Sequence, residues 1–195
     1  MATRLRPSFI RSLLLWSISF VIIPLAGYLG TFLVGRIDNL GSALIGGAIV
    51  GALVGFAQAV ASRRRLPKLG WTLASTIGTS IGVAAGTFAI DYRTTLTDLI
   101  VGGLITGLIV GLAQTLALPA RTRLRWVWLP AAAALWAGAW AVTTLAGIKV
   151  DEQFIVFGAS GASVYTVLAG VLLYLLLPPV IASATTLDSE LAATR

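Results

Sequence analysis

The sequence predicts an all-α integral membrane protein: six transmembrane helices built from same-orientation helical hairpins of about 56 residues, the third degenerate. Three observations carry that prediction. The 195 residues are 57% hydrophobic and only 11% charged, against about 25% charged in a soluble domain. A soluble fold of this size has too little interior for so much apolar surface. Six apolar segments each reach the roughly 20 residues that a bilayer crossing needs. Finally, residues 46–61 (Gly-Gly-Ala-Ile-Val-Gly-Ala-Leu-Val-Gly-Phe-Ala-Gln-Ala-Val-Ala) return 56 positions later at 102–117, with nine of sixteen identical. A repeat of fixed period sets architecture before any single residue is interpreted.

The segments run over residues 12–35, 40–61, 70–90, 96–118, 126–147 and 154–177. The first follows a basic start, Arg4, Arg6 and Arg11, as a signal peptide does. Its apolar run is longer than the usual h-region and no small-x-small site closes it, so a retained span is expected. Pro24 lies inside it and predicts a kink. The second and fourth segments carry the repeat. Gly30-Thr-Phe32 in the first and Gly86-Thr-Phe88 in the third share its offset, which widens the repeating unit to a hairpin: about 12–62 and 68–118. The fifth and sixth segments take the place of a third unit, 124–177. There only Gly158 and Ala169 keep the first unit's residues across 158–173. Each unit holds two helices, so successive units keep one orientation and are related by an axis along the membrane normal. Pro119 ends the fourth segment, and Pro178 and Pro179 end the sixth, because proline cannot continue a hydrogen-bonded turn. The expected organisation is a single transmembrane domain over 1–178, no soluble domain, and a polar tail at 179–195.

Charge orients the spans. Arg4, Arg6, Arg11, Arg63, Arg64, Arg65, Lys68, Arg121, Arg123, Arg125 and Arg195 fall on one side, eleven of the fourteen basic residues. Arg36, Arg93 and Lys149 fall on the other, with five of the seven acids, Asp38, Asp91, Asp98, Asp151 and Glu152. The positive-inside rule makes the first side cytoplasmic, with both termini there, and a cytoplasmic (inner) membrane is the expected location. The net charge of +7 then reads as topology and as contact with anionic lipid headgroups, not as nucleic-acid binding. Trp16, Trp71, Trp126 and Trp128 follow the basic runs and read as an aromatic belt at the cytoplasmic interface.

Candidate helix-packing residues come from glycine ladders: Gly47, Gly51 and Gly55 in the second span, Gly78, Gly82 and Gly86 in the third, Gly103, Gly107 and Gly111 in the fourth. Missing side chains let backbones approach, which membrane helices need because lipid offers no hydrophobic force between them. The glycine-zipper reading is tight packing inside the bundle; the alternative is a groove for a flat ligand or a partner helix. Gln58 and Gln114 each follow the last glycine of a ladder by three residues, hence on nearly the same face. They read as interhelical hydrogen bonds or as a polar ring contacting a solute; Gly170 at the third equivalent place argues against a full three-glutamine ring. Thr76, Thr79 and Ser80 share one side of the third span with Thr72, and either line a hydrated path or bond their own helix carbonyls. Trp136 and Trp140, one turn apart, pack in the core, face lipid or stack on an apolar ligand.

The chain has no histidine and no cysteine, and none of its charges falls in a span interior, Asp98 standing only at the start of the fourth. Acid–base, thiolate and metal chemistry therefore lack their usual groups, and ion-coupled transport lacks the intramembrane charge it usually uses. No metal, cofactor or catalytic residue is expected.

Gly51-x-x-x-Gly55-x-x-Gln58, then Arg63-Arg-Arg65, then Gly70-Trp71-x-x-Ala74-Ser75-x-x-Gly78 resembles a group of bacterial multi-pass membrane proteins with no established activity. Those proteins repeat G-x-x-x-G-x-x-Q, an arginine pair and a W-x-x-A-x-x-x-G helix start. The likeness covers one repeat well. The next keeps Gly107, Gly111 and Gln114, then departs at Trp128 and Pro130, and Ala59 stands where a tryptophan often follows the glutamine. The resemblance implies the fold and no function. The residues themselves lead to a non-enzymatic membrane subunit, structural or accessory to a larger complex, with other membrane subunits or a second copy as partners. The alternatives are a small-solute or lipid transporter using Gln58 and Gln114, or an apolar pigment or quinone site.

Overall fold

The computed structural model describes residues 4–5, 9–148, 150, 159–178 and 180–181. Its helices are α1 (Phe9–Ile18), α2 (Ile22–Val34), α3 (Leu40–Ala61), α4 (Lys68–Ala89), α5 (Leu96–Ala117), α6 (Trp128–Leu145) and α7 (Ala159–Leu176). The first expected span is thus two helices joined by a 3-10 turn, Ser19–Val21. The cause is local: Pro24 has no N–H to give the preceding turn, so the helix tightens just ahead of it. A second 3-10 turn, Arg125–Val127, leads into α6. The start of the sixth expected span, 154–158, and the tail calls at 179 and 182–195 lie outside the described residues. Val180–Ile181 pairs antiparallel with Arg4–Leu5.

Helix starts follow sequence chemistry. The Asn39 side chain accepts from Ser42 N at the head of α3, and Thr95 does the same for Asp98 N at the head of α5. Both satisfy an amide that a first turn otherwise leaves open. The two caps are again 56 residues apart. So are three backbone turns of positive φ that follow α2, α4 and α6: Gly35 (75°), Asp91 (52°) and Gly147 (75°). Glycine takes such a φ without strain, and aspartate is among the few other residues that tolerate it.

The helices form a ring in chain order. Each of α2 to α6 packs on its successor, and α7 closes the ring against α1. Glycine ladders fix three of these contacts. A methyl placed at Gly51 would lie 2.5 Å from Ser75 O and 2.8 Å from Thr76 Cα, so α3 touches α4 backbone to backbone. One at Gly86 would lie 2.5 Å from Gly102 O across α4–α5, and one at Gly107 would lie 2.6 Å from Ala133 Cα across α5–α6. Small and polar residues thus hold the helix contacts, the buried core adds large side chains such as Trp71, Trp128, Trp136, Ile23 and Leu173, and the outer surface carries Leu25, Phe32, Phe56, Ile77, Phe88 and Leu116. That distribution suits a hydrocarbon solvent, where packing and internal hydrogen bonds hold helices together.

Among the described residues, four helical segments are long and apolar enough to cross a membrane: Phe9–Val34, Leu40–Ala61, Leu96–Ala117 and Arg125–Leu145. Six spans are expected from the sequence. Lys68–Ala89 is as long as its neighbours, but its hydroxyls and glycines dilute its apolar character. Ser160–Leu176 is apolar but short.

Candidate functional site

Two places in the bundle collect the residues that sequence reasoning singles out. The first is a polar layer near the loops 62–67 and 118–124. Gln58, on the last turns of α3, accepts at Oε1 from Trp71 Nε1 (3.1 Å) on the first turn of α4. Gln114, on the last turns of α5, accepts at Oε1 from Trp128 Nε1 (3.0 Å) on the first turn of α6. Gln114 also donates through Nε2 to Ser75 Oγ of α4 (2.9 Å). All five side chains are buried. The two indole rings meet at 6.1 Å between centroids, tilted by 50°. One network thus joins α3, α4, α5 and α6. Beside it, Gln58, Ser75, Thr79 and Gln114 line a cavity of only about 30 Å³, room for a water but not for a solute.

The tryptophans correct the sequence reading. Trp71, Trp128 and Trp16 are 0%, 1% and 5% exposed, and only Trp126, at 57%, has the exposure of a belt residue. A buried indole usually finds an acceptor, and for Trp71 and Trp128 a glutamine on the preceding helix supplies it. The available signal was the separation: 13 residues from Gln58 to Trp71 and 14 from Gln114 to Trp128.

Two arginines of the basic loops also turn inward. Arg65 donates from Nη2 to Leu177 O (2.6 Å) and Tyr174 O (3.0 Å), and its guanidinium lies 5.1 Å from the Tyr174 ring centroid. Arg125 donates from Nη2 to Thr115 O (2.5 Å) and Leu116 O (3.0 Å). Each cation caps carbonyls that a helix end leaves open and sits at the negative end of a helix dipole. Charge counting read both only as topology signals.

The helix α4 hydroxyls divide. Thr76 Oγ1 donates back to Thr72 O (2.8 Å), within its own helix. Ser80 Oγ donates across to Leu44 O of α3 (2.8 Å). Thr79 is buried, and its backbone carbonyl lies under Gly47.

The second place is a cavity of about 220 Å³ at the opposite end, between α4, α5 and α6. Trp136 and Trp140 line it together with Gly86, Gly102 and Gly103, and Arg36 and Arg93 stand at its edge. Arg93 is paired with Asp98 (3.2 Å), which also accepts from Thr95 Oγ1 (2.6 Å). Trp136 is buried and meets the Tyr165 ring edge-on at 6.0 Å. The structure therefore separates the candidate ligand residues into two groups. Gln58, Gln114 and Thr79 line the small cavity, Trp140 lines the large one, and Trp136 reaches both. Thr76 and Ser80 line neither. Among the described residues no three His, Cys, Asp or Glu side chains come together.

Fold and site together define a class: a helical protein whose long apolar segments are consistent with a multi-pass membrane protein. No protein-family profile, curated protein or solved structure matches the chain.

Proposed function

We propose that this chain is a non-enzymatic, six-span protein of the cytoplasmic membrane, built as three same-orientation hairpins with both termini in the cytoplasm. It serves as a structural or accessory subunit among other membrane proteins. The equal spacing of the positive-φ turns at Gly35, Asp91 and Gly147 supports the third hairpin. The position of α4 between α3 and α5 supports its crossing, since its hydroxyls then meet protein rather than lipid.

One observation carries the functional reading: both glutamines, the residues best suited to greet a solute, are spent on tryptophans of the next helix. The polar layer thus acts as a fastener, and the glycine ladders are consumed between neighbours of the same chain. What remains for a partner is the outer face of large aliphatic and aromatic side chains. Purification in mild detergent tests this: a stoichiometric partner or a defined homo-oligomer is expected, and a lone monomer contradicts it.

A second reading has its own observation. The large cavity, about 220 Å³ with Trp136, Trp140 and three glycines in its lining, supports a small apolar ligand as its occupant. Native mass spectrometry and an absorption spectrum of the purified protein test it; a ligand-free mass with no absorption beyond the aromatic band contradicts it.

A further inference from the structure

The two glutamine–tryptophan pairs have a third counterpart that is incomplete. Positions 58 and 114 continue at the same interval to 170, where the residue is glycine. An indole still sits there. A methyl placed at Gly170 would lie 2.5 Å from Trp16 Cδ1 and 3.1 Å from Trp16 Nε1. So α1 presents to α7 the ring that α4 presents to α3 and α6 presents to α5. Trp16 is 5% exposed, and its Nε1 has no acceptor among the described residues. A buried N–H without an acceptor is rare in native proteins and calls for a specific explanation.

The surroundings point to one. Trp16 and Gly170 line a cavity of about 30 Å³ together with Ser12, Ser62, Arg63 and Arg65. About 10–15 Å³ is enough to seat one water, provided polar partners are at hand. The lining offers the Ser12 hydroxyl and the positive charge of Arg63 and Arg65, while Ser62 Oγ is already bonded to Ala59 O and Leu66 N, and it lies at the end of the bundle that carries the basic loops. We propose that this is a binding site for a single oxygen acceptor from outside the chain, held by Trp16 Nε1 in place of the missing glutamine carbonyl. A water molecule and a phosphate oxygen of a lipid headgroup share that chemistry. The equivalence of position 170 rests on the three-hairpin reading; the orphaned indole does not.

The experiment uses the full chain in lipid nanodiscs with ¹⁵N-labelled tryptophan. The protein has six tryptophans, so six indole N–H signals are expected, assigned by single Trp→Phe changes. If water is the acceptor, the Trp16 indole proton gives a cross-relaxation peak with water that Trp71 and Trp128 lack, in zwitterionic and anionic lipid alike. If a headgroup is the acceptor, the Trp16 signal shifts as anionic lipid replaces zwitterionic lipid while Trp71 and Trp128 stay in place. Trp16→Phe removes either signature. A Trp16 indole with neither water contact nor lipid response overturns the proposal, and would leave the hairpin reading standing, since that is judged by topology.

Discussion

Trp71 and Trp128 meet ring to ring, 6.1 Å between centroids, and each donates its indole N–H to the glutamine near the end of the preceding helix. The pair and its two glutamines tie α3, α4, α5 and α6 together beside the loops 62–67 and 118–124. Its energetics follow from burial: in a water-free interior an unpaired donor or acceptor has no alternative partner.

Replacing Trp71 or Trp128 with phenylalanine keeps most of the ring but orphans a buried glutamine oxygen. Each change is expected to lower stability by about 1–3 kcal/mol. Trp126→Phe, at an exposed position, is expected to stay within about 0.5 kcal/mol. Unfolding in detergent micelles, followed by tryptophan-independent circular dichroism, reads all three.

Glycine positions separate in the same way. Gly51→Ala places a methyl 2.5 Å from Ser75 O and is expected to cost about 1–3 kcal/mol as α3 and α4 are forced apart. Gly138 has open space around it, so Gly138→Ala is expected to be neutral or stabilising by up to about 1 kcal/mol. The contrast in thermal midpoint between the two alanine variants checks the prediction.

The double change Gln58→Leu, Gln114→Leu distinguishes a fastener from a solute site. As a fastener it strands two indole donors and Ser75 Oγ, so the thermal midpoint falls. A solute site predicts an unchanged midpoint and lost uptake.

Arg65→Gln is expected to loosen the end of α7, whose carbonyls at Tyr174 and Leu177 it caps. Hydrogen exchange over residues 172–178 should quicken. Arg64→Gln, at an exposed neighbour, should leave that segment unchanged.

The helical, apolar character of the fold was legible in the sequence because it rests on composition and residue size. The second span was read with the bounds it has, 40–61, and the glycine faces were visible as ladders. Pro24 announced the break that became the 3-10 turn Ser19–Val21. The site was less legible. Gln58 and Gln114 stood out, but their acceptor role depends on indoles across a loop, and a tryptophan beside arginines has the same sequence signature in a belt as in a core. Arg65 and Arg125 were read as topology signals and headgroup contacts, because sequence does not reveal which helix end lies within reach of a long side chain. The large cavity is formed by three helices meeting, which no single segment encodes.

The most direct test of the central claim, three hairpins of one orientation in a membrane, is cysteine labelling in intact cells. The chain has no cysteine, so single substitutions report cleanly. Asp38→Cys, Thr94→Cys and Ala146→Cys should all react with an impermeant maleimide added outside. Arg64→Cys and Arg123→Cys should react only after the membrane is opened. Protection of any of the first three from outside reagent, or labelling of either of the last two before permeabilisation, would contradict the account.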